Sequence, residues 1–331
     1  MTTVEKKSDH SSTKYEPLLN DTSRRFCLMP IKYPKLFAEY KKLVSTFWVA
    51  EEIDLELDVI HFQQKLNDDE RFYLSMVLAF FASADAMVNL NLLNFATEVC
   101  VPECQMFYAF QACQENIHSE VYGLLIDRLV QEQEKPKLFN ALKEIDSIKE
   151  KGEWVLQWAN PDKSFATRIV AWACVEGLLF ASSFAAIAYF KHRQLLPGVG
   201  TANEYISRDE SLHCDFGCLL YRDYIQNKLS PDTIYQIIED AVQIEDRFVR
   251  ESLPVRLIGL NADAMCTYVR YTADRLMDAL GIKPKYNIKK NPFPWISLLS
   301  VHGQTSFFEK KVSDYAISTL QKSNIAFDAE F

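Results

Sequence analysis

Residues 114–127, QENIHSEVYGLLID, set Glu115, His118 and Tyr122 three and four residues apart, the spacings that share one face of an α-helix. The surrounding residues are largely apolar, so an acid, an imidazole and a phenol line one edge of a helix that must be mostly buried. Ionisable groups persist in such surroundings when they are paired or hold a metal. The same spacing recurs downstream in DESLH, residues 209–213, where Glu210 precedes His213 by three. The chain has only six histidines, so one Glu-x-x-His is unremarkable and two point to a shared purpose.

Two further acids complete a pattern. Asp85 lies in FFASADAMVNLNLL (80–93), thirty residues before Glu115, and Glu176 lies in VEGLLF (175–180), thirty-four before Glu210. Each is the only acid of its apolar run. The VPE break at 101–103 falls midway between Asp85 and Glu115, so a helical hairpin brings them to one height. The LLPG break at 195–198 lies nearer Glu210, and a meeting with Glu176 requires the intervening helix to bend, which we expect around Ser182 and Ser183.

One lone acid from each of two helices and a Glu-x-x-His from each of two others is the donor pattern of a ferritin-like bundle with a di-metal carboxylate site. The expected ligands are Asp85, Glu115, His118, Glu176, Glu210 and His213. Charge supports the pattern: four carboxylates neutralise two divalent ions, whereas without metal they repel one another in a low-dielectric core. The competing arrangement pairs each acid with a base, for which Arg168 and Arg208 are the available partners. Tyr122 stands one helical turn beyond His118, within reach of chemistry at such a site.

The rest of the chain fits an all-α reading. It has 331 residues, 48% of them hydrophobic, and only 9 glycines, with no sustained alternation of the strand type. Helices are expected at about 35–46, 68–98, 103–130, 136–146, 165–192, 202–227, 231–250 and 255–280. Residues 1–23 read as a flexible N-terminal tail, 24–311 as the helical domain and 312–331 as a flexible C-terminal tail. A net charge of −9 with no strongly basic stretch gives no source of affinity for nucleic acid.

Residues 169–190 are long and apolar enough to span a bilayer, but Glu176 near their middle argues for a bundle interior instead of a membrane. The eight cysteines are scattered through helix-like segments without disulfide or zinc-knuckle spacing. Together with an N-terminus lacking an apolar signal core, they indicate a reducing, cytoplasmic location.

In order along the chain, LAFFASAD, ENIHSEVYGLLID, VEGLLFASSF, NEYISRDESLHCDF, ESLPVRLIG and FFEKKV resemble the small, radical-generating subunit of class I ribonucleotide reductase of the eukaryotic type. The likeness runs from Arg24 to the final FDAEF. It implies a ferritin-like subunit of ribonucleoside-diphosphate reductase, serving deoxyribonucleotide synthesis for DNA replication. An oxo-bridged pair of iron ions would form a stable radical on Tyr122, with Asp85, Glu115 and His118 on one iron and Glu176, Glu210 and His213 on the other. Manganese accepts similar ligands.

By the same resemblance, Phe180, Phe184 and Ile206 form the radical's apolar pocket. Trp48 and Asp209 lie on a long-range radical path, with Asp209 bonded to both Trp48 and His118. Tyr315 passes the oxidising equivalent between subunits. Phe327, Asp328, Glu330 and Phe331 dock on the large catalytic subunit, and the small subunit is a homodimer. One departure is Asn89-Leu90-Asn91, where the family commonly has a glutamate in the middle. Spacing alone also leaves room for a di-iron oxygenase or desaturase, for an iron-storage bundle, and for a partner that stabilises an active paralogue.

Overall fold

The structure is a computed structural model that describes residues 15–20, 22, 24–158 and 160–296; for residues 85–87 and 90 it describes the backbone alone. Among these residues the chain is all helical, its one extended pairing being an isolated bridge between Leu257 and Leu260. Two long helices, α3 (Asp68–Glu98) and α4 (Pro102–Leu129), form the most extensively packed pair. Asn67 starts α3 with a capping box: its side chain accepts the Glu70 N–H at 2.9 Å, and Glu70 accepts the Asn67 N–H at 3.0 Å. Pro102 opens α4 at a position whose N–H would have no helical partner in any case.

The short connection between these helices produces the expected hairpin. Asp85 stands thirteen residues before the end of α3 and Glu115 thirteen after the start of α4, so both lie at the same height. Ahead of the hairpin come α1 (Pro34–Ser45), a 3-10 turn at Ala50–Glu52 and α2 (Glu56–Gln64). After it come α5 (Lys135–Phe139), α6 (Ala141–Glu144) and α7 (Asp146–Trp158). The expected helix over 136–146 is thus broken at Asn140, while α2 and α7 were not foreseen.

The apolar segment expected as one helix over 165–192 is α8 (Phe165–Cys174), a π-turn at Val175–Leu179 and α9 (Ala181–His192). Its most apolar 18-residue stretch has a mean hydropathy of 1.7 and is wholly buried in the bundle. The irregularity falls a turn earlier than Ser182 and Ser183, which sit in regular α9. A π-turn holds one residue more than an α-turn, so it re-aims the side chains on either side by about 100° relative to a straight helix. Glu176 is carried on this turn.

The remaining helices are α10 (Pro197–Leu219), followed by a second π-turn at Leu220–Tyr224, then α11 (Pro231–Ser252) and α12 (Ala262–Ala279). The start of α10 fixes where Glu210 and His213 fall. Fully buried Asp58 on α2 accepts the N–H groups of Gly198 and Val199 at 2.9 and 2.7 Å. The chain passes so close to α2 there that a Cβ on Gly198 would lie 2.1 Å from the Asp54 carbonyl oxygen. The expected helix start near 255 moves to Ala262, because residues 253–260 form a turn with Gly259 at φ +79°.

The core runs continuously through these helices. Within the segment read as an N-terminal tail, Leu18 is fully buried and its carbonyl accepts the Cys100 N–H at 2.7 Å, so residues 15–20 lie against the bundle. All eight cysteines are free thiols.

Candidate metal centre

Three helical segments converge on one buried polar cluster. α4 contributes Glu115 and His118, α10 contributes Glu210 and His213, and the π-turn contributes Glu176; all five side chains are at most 1% exposed. Asp85 belongs to α3, and its side chain lies outside those described. Oxygens of Glu115, Glu176 and Glu210 and a nitrogen of His213 all lie within 4.8 Å of one another.

The two imidazoles face the same carboxylates from opposite sides. Nδ1 of His118 is 3.2 Å from Glu115 Oε2 and 3.0 Å from Glu210 Oε1. Nδ1 of His213 is 3.1 Å from Glu115 Oε1 and 3.2 Å from Glu210 Oε2. Each of these glutamates therefore turns one oxygen toward each ring. The resemblance implies Glu115 on one ion and Glu210 on the other; in the structure both carboxylates lie between the two imidazoles. Glu176 Oε2 lies 4.0 Å from His213 Nδ1, at one end of the cluster.

The outer nitrogens are occupied in a way that favours metal binding at the inner ones. His118 Nε2 is directed at Asp209 Oδ2 (3.4 Å), and His213 Nε2 at Gln114 Oε1 (3.2 Å). An imidazole that donates from Nε2 keeps its Nδ1 lone pair for a cation. The Gln111 amide donates to Glu176 Oε1 at 2.9 Å and to Glu115 Oε1 at 3.4 Å. Neither glutamine was singled out in the sequence. Gln111 precedes Glu115 by four residues, a same-face spacing that was there to be read.

The alternative of separately neutralised acids does not match what the bases do. Arg168 pairs with Glu98 at 2.6 Å, and Arg208 contacts Asp209 Oδ1 at 3.2 Å and the Thr46 carbonyl at 2.7 Å. Two carboxylate charges about 4.8 Å apart repel by about 3 kcal/mol at an effective dielectric near 20, so the cluster calls for cations. Three glutamates and two imidazoles are a hard-oxygen and nitrogen donor set that suits divalent transition ions. The residues fit a di-metal site.

Asp209 connects this cluster to Trp48. Its Oδ2, the atom facing His118, also accepts the Trp48 indole N–H at 2.8 Å. Both side chains are buried, and the indole lies nearly parallel to the His118 ring at a centroid distance of 6.0 Å. Tyr122, 1% exposed, stacks flat on Phe81 with centroids 4.4 Å apart and planes within 3°. Phe81 in turn packs on Phe180 at 5.7 Å and Phe184 at 5.0 Å. Phe81, missed in the sequence, is thus the ring against the phenol; Ile206 is buried on α10. Tyr315, Phe327, Asp328, Glu330 and Phe331 lie outside the described residues.

Without metal the histidines hold protons. Burial opposes charging His213, but the Glu210 and Glu115 carboxylates outweigh it and push its pKa up to about 9; His118 is raised as well. Burial likewise opposes ionising Glu210, yet hydrogen bonds with Glu176 and the two histidines hold it below the usual carboxylate range. The raised His213 pKa stabilises the metal-free fold fully below about pH 6.5, and that contribution is lost as pH climbs through about 9. A divalent ion must displace the proton. Calorimetry of Mn(II) binding in buffers of different ionisation enthalpy should therefore register proton release between these limits, with affinity rising about tenfold per pH unit for each proton displaced. Binding without proton release would contradict this electrostatic account.

Comparison with known proteins agrees with the geometry. A family model described as ribonucleotide reductase, small chain, matches residues 25–292. The ribonucleoside-diphosphate reductase small subunit of Dictyostelium discoideum is 50% identical over 306 residues, covering 92% of this chain and 90% of that protein. Small chain 1 of the Saccharomyces cerevisiae enzyme is 48% identical over 305 residues, covering 91% and 76%. Among solved structures, the ribonucleotide reductase Rnr4 homodimer from Saccharomyces cerevisiae superposes with a TM-score of 0.79 at 37% identity, covering 91% of this chain and 93% of that one. The helical architecture is accordingly ferritin-like. On its sequence, its fold and the donor cluster at its centre, the chain belongs to the ribonucleotide reductase small-chain family.

Proposed function

We propose that the chain is the radical-generating small subunit of a ribonucleoside-diphosphate reductase, with two iron ions held by Asp85, Glu115, His118, Glu176, Glu210 and His213 and a stable radical on Tyr122. The observation that carries the reading is the pair Glu115 and Glu210, each turning one oxygen to His118 Nδ1 and the other to His213 Nδ1. In this reading His118 and His213 would each hold one ion, and Glu115, Glu210, Asp85 and Glu176 would supply the carboxylate oxygens. When bound, iron supplies, with dioxygen and an external reductant, the oxidising power to take an electron and a proton from a nearby phenol. Manganese suits the same donors.

The chain's own residues make that phenol useful. Tyr122 lies one turn beyond His118 on α4, so the group to be oxidised and a metal ligand are fixed by the same backbone. Phe81 covers its face, with Phe180 and Phe184 behind. With Ile206, these side chains keep water and reductants from the radical. Asp209 holds the Trp48 N–H and faces His118, so it orients the ligand and offers a hydrogen-bonded path outward.

From Trp48 the oxidising equivalent would pass through Tyr315 to the large subunit, where nucleotides are reduced. Phe327 and Phe331 would fill apolar pockets there, while Asp328 and Glu330 meet basic groups. A homodimer, the assembly named for the yeast neighbour, and a cytoplasmic location complete the proposal.

Two measurements test it. Tyr122→Phe is expected to bind iron with undiminished stoichiometry and to lose the radical's electron paramagnetic resonance signal; an intact signal would assign the radical elsewhere. Deleting residues 325–331 is expected to abolish ribonucleotide reduction with the large subunit while leaving the radical untouched. Full activity of the shortened chain would refute the docking role, and persistence of any oxygenase activity would favour a di-iron oxygenase.

A further inference from the structure

A second buried ionic cluster lies beside the π-turn that carries Glu176, and nothing in the proposed chemistry uses it. Lys151 on α7 is 1% exposed and pairs with fully buried Glu245 on α11 at 2.6 Å. Its Nζ also donates to the carbonyl of Leu179, the last residue of the π-turn, at 2.8 Å. Ser182, at the start of α9, donates its hydroxyl to Glu245. The ammonium stands over the rings of Phe80 and Phe248, 3.4 and 3.9 Å from their centroids. Lys151 and Glu245 thus tie α7 and α11 to the last residue of the π-turn and to the start of α9.

Burying a lysine is costly, and desolvation lowers the pKa of Lys151 to about 8 even though Glu245 pulls it back up. A buried ion pair is poor evidence of stability, because apolar residues of equal volume hold a core at least as well. Its geometry points to a more particular task. A π-turn takes carbonyls off their regular helical partners, and such turns persist where something else holds them. The turn is enclosed, with Val175, Glu176, Leu178 and Leu179 at most 2% exposed, and the polar contact made to its backbone from outside is a clamp, the Lys151 ammonium at the Leu179 carbonyl.

We propose that Lys151, locked by Glu245, is a positioning residue for Glu176: it holds the π-turn in the conformation that aims this carboxylate at the metal cluster. Without the clamp the turn relaxes toward regular helix, and Glu176 swings away from His213 and Glu210. The inference rests on reading the cluster as a metal centre, and the test separates the two.

The probe is Co(II), added to metal-free full-length protein and followed by its visible absorption, with far-UV circular dichroism and thermal melting as fold controls. In Lys151→Met combined with Glu245→Gln, which removes both charges at similar volume, the helical signal should persist while the second Co(II) equivalent binds about tenfold or more weakly, with an altered spectrum. Glu176→Gln should show the same altered spectrum. If Glu176→Gln leaves Co(II) binding unchanged, the metal-centre reading fails. If Glu176→Gln weakens binding and the double variant does not, the clamp alone is refuted. Should the double variant not fold, Ser182→Ala takes its place: a smaller loss in the same direction supports the clamp, and an unchanged Co(II) spectrum overturns it.

Discussion

The structure depends on placing several carboxylates within one another's field where water cannot screen them. Glu115, Glu176 and Glu210 are buried with oxygens inside a 4.8 Å group. A pair ionised together at that distance would repel by about 3 kcal/mol at an effective dielectric near 20, a sizeable share of a domain's net stability. Such a cluster calls for positive charge, which protons on His118 and His213 supply in the metal-free fold. The helices can be understood as the frame that tolerates this cost. α3 and α4 return on each other across a short connection, α10 is anchored at its start by Asp58, and the π-turn brings in Glu176.

Around the cluster, polar side chains act at one remove. Asp209 and Gln114 occupy the outer nitrogens of the two histidines, and Gln111 spans Glu115 and Glu176. The two imidazoles are therefore backed unequally, one by a carboxylate and one by a neutral amide. A carboxylate partner makes an imidazole the stronger donor, so the two halves of the centre differ electronically although their Glu-x-x-His motifs are alike. The stronger donor is also the one joined to Trp48, which gives the proposed outward path a direction.

Much of this was legible because helical spacing is local. Glu115 with His118, and Glu210 with His213, are fixed by three residues of backbone, and the α3–α4 hairpin by where VPE interrupts two apolar runs. The π-turn was not, since the polar groups that meet it, Lys151 on α7 and through it Glu245 on α11, come from other helices, and a straight-helix reading moved the bend to Ser182 and Ser183. α2 escaped notice because its apolar residues are not gathered on one face, and the helix over 136–146 was overextended across Asn140. Phe81 is one of two adjacent phenylalanines in an apolar stretch, and only tertiary packing tells which of them meets Tyr122. The sharing of Glu115 and Glu210 between both histidines is likewise a three-dimensional fact. Burial of Lys151 could not be read from DSIKEKGEWVLQW, where it resembles any solvated lysine.

The central claim is that His118, His213 and the glutamates between them, Glu115 and Glu210, would hold two metal ions. Anomalous diffraction at the iron absorption edge, on crystals of the iron-loaded chain, tests it most directly. The account predicts two iron peaks within the cluster, one held by His118 and one by His213, with the Glu115 and Glu210 carboxylates between them. A single peak, or iron bound anywhere other than between the two imidazoles, would contradict it.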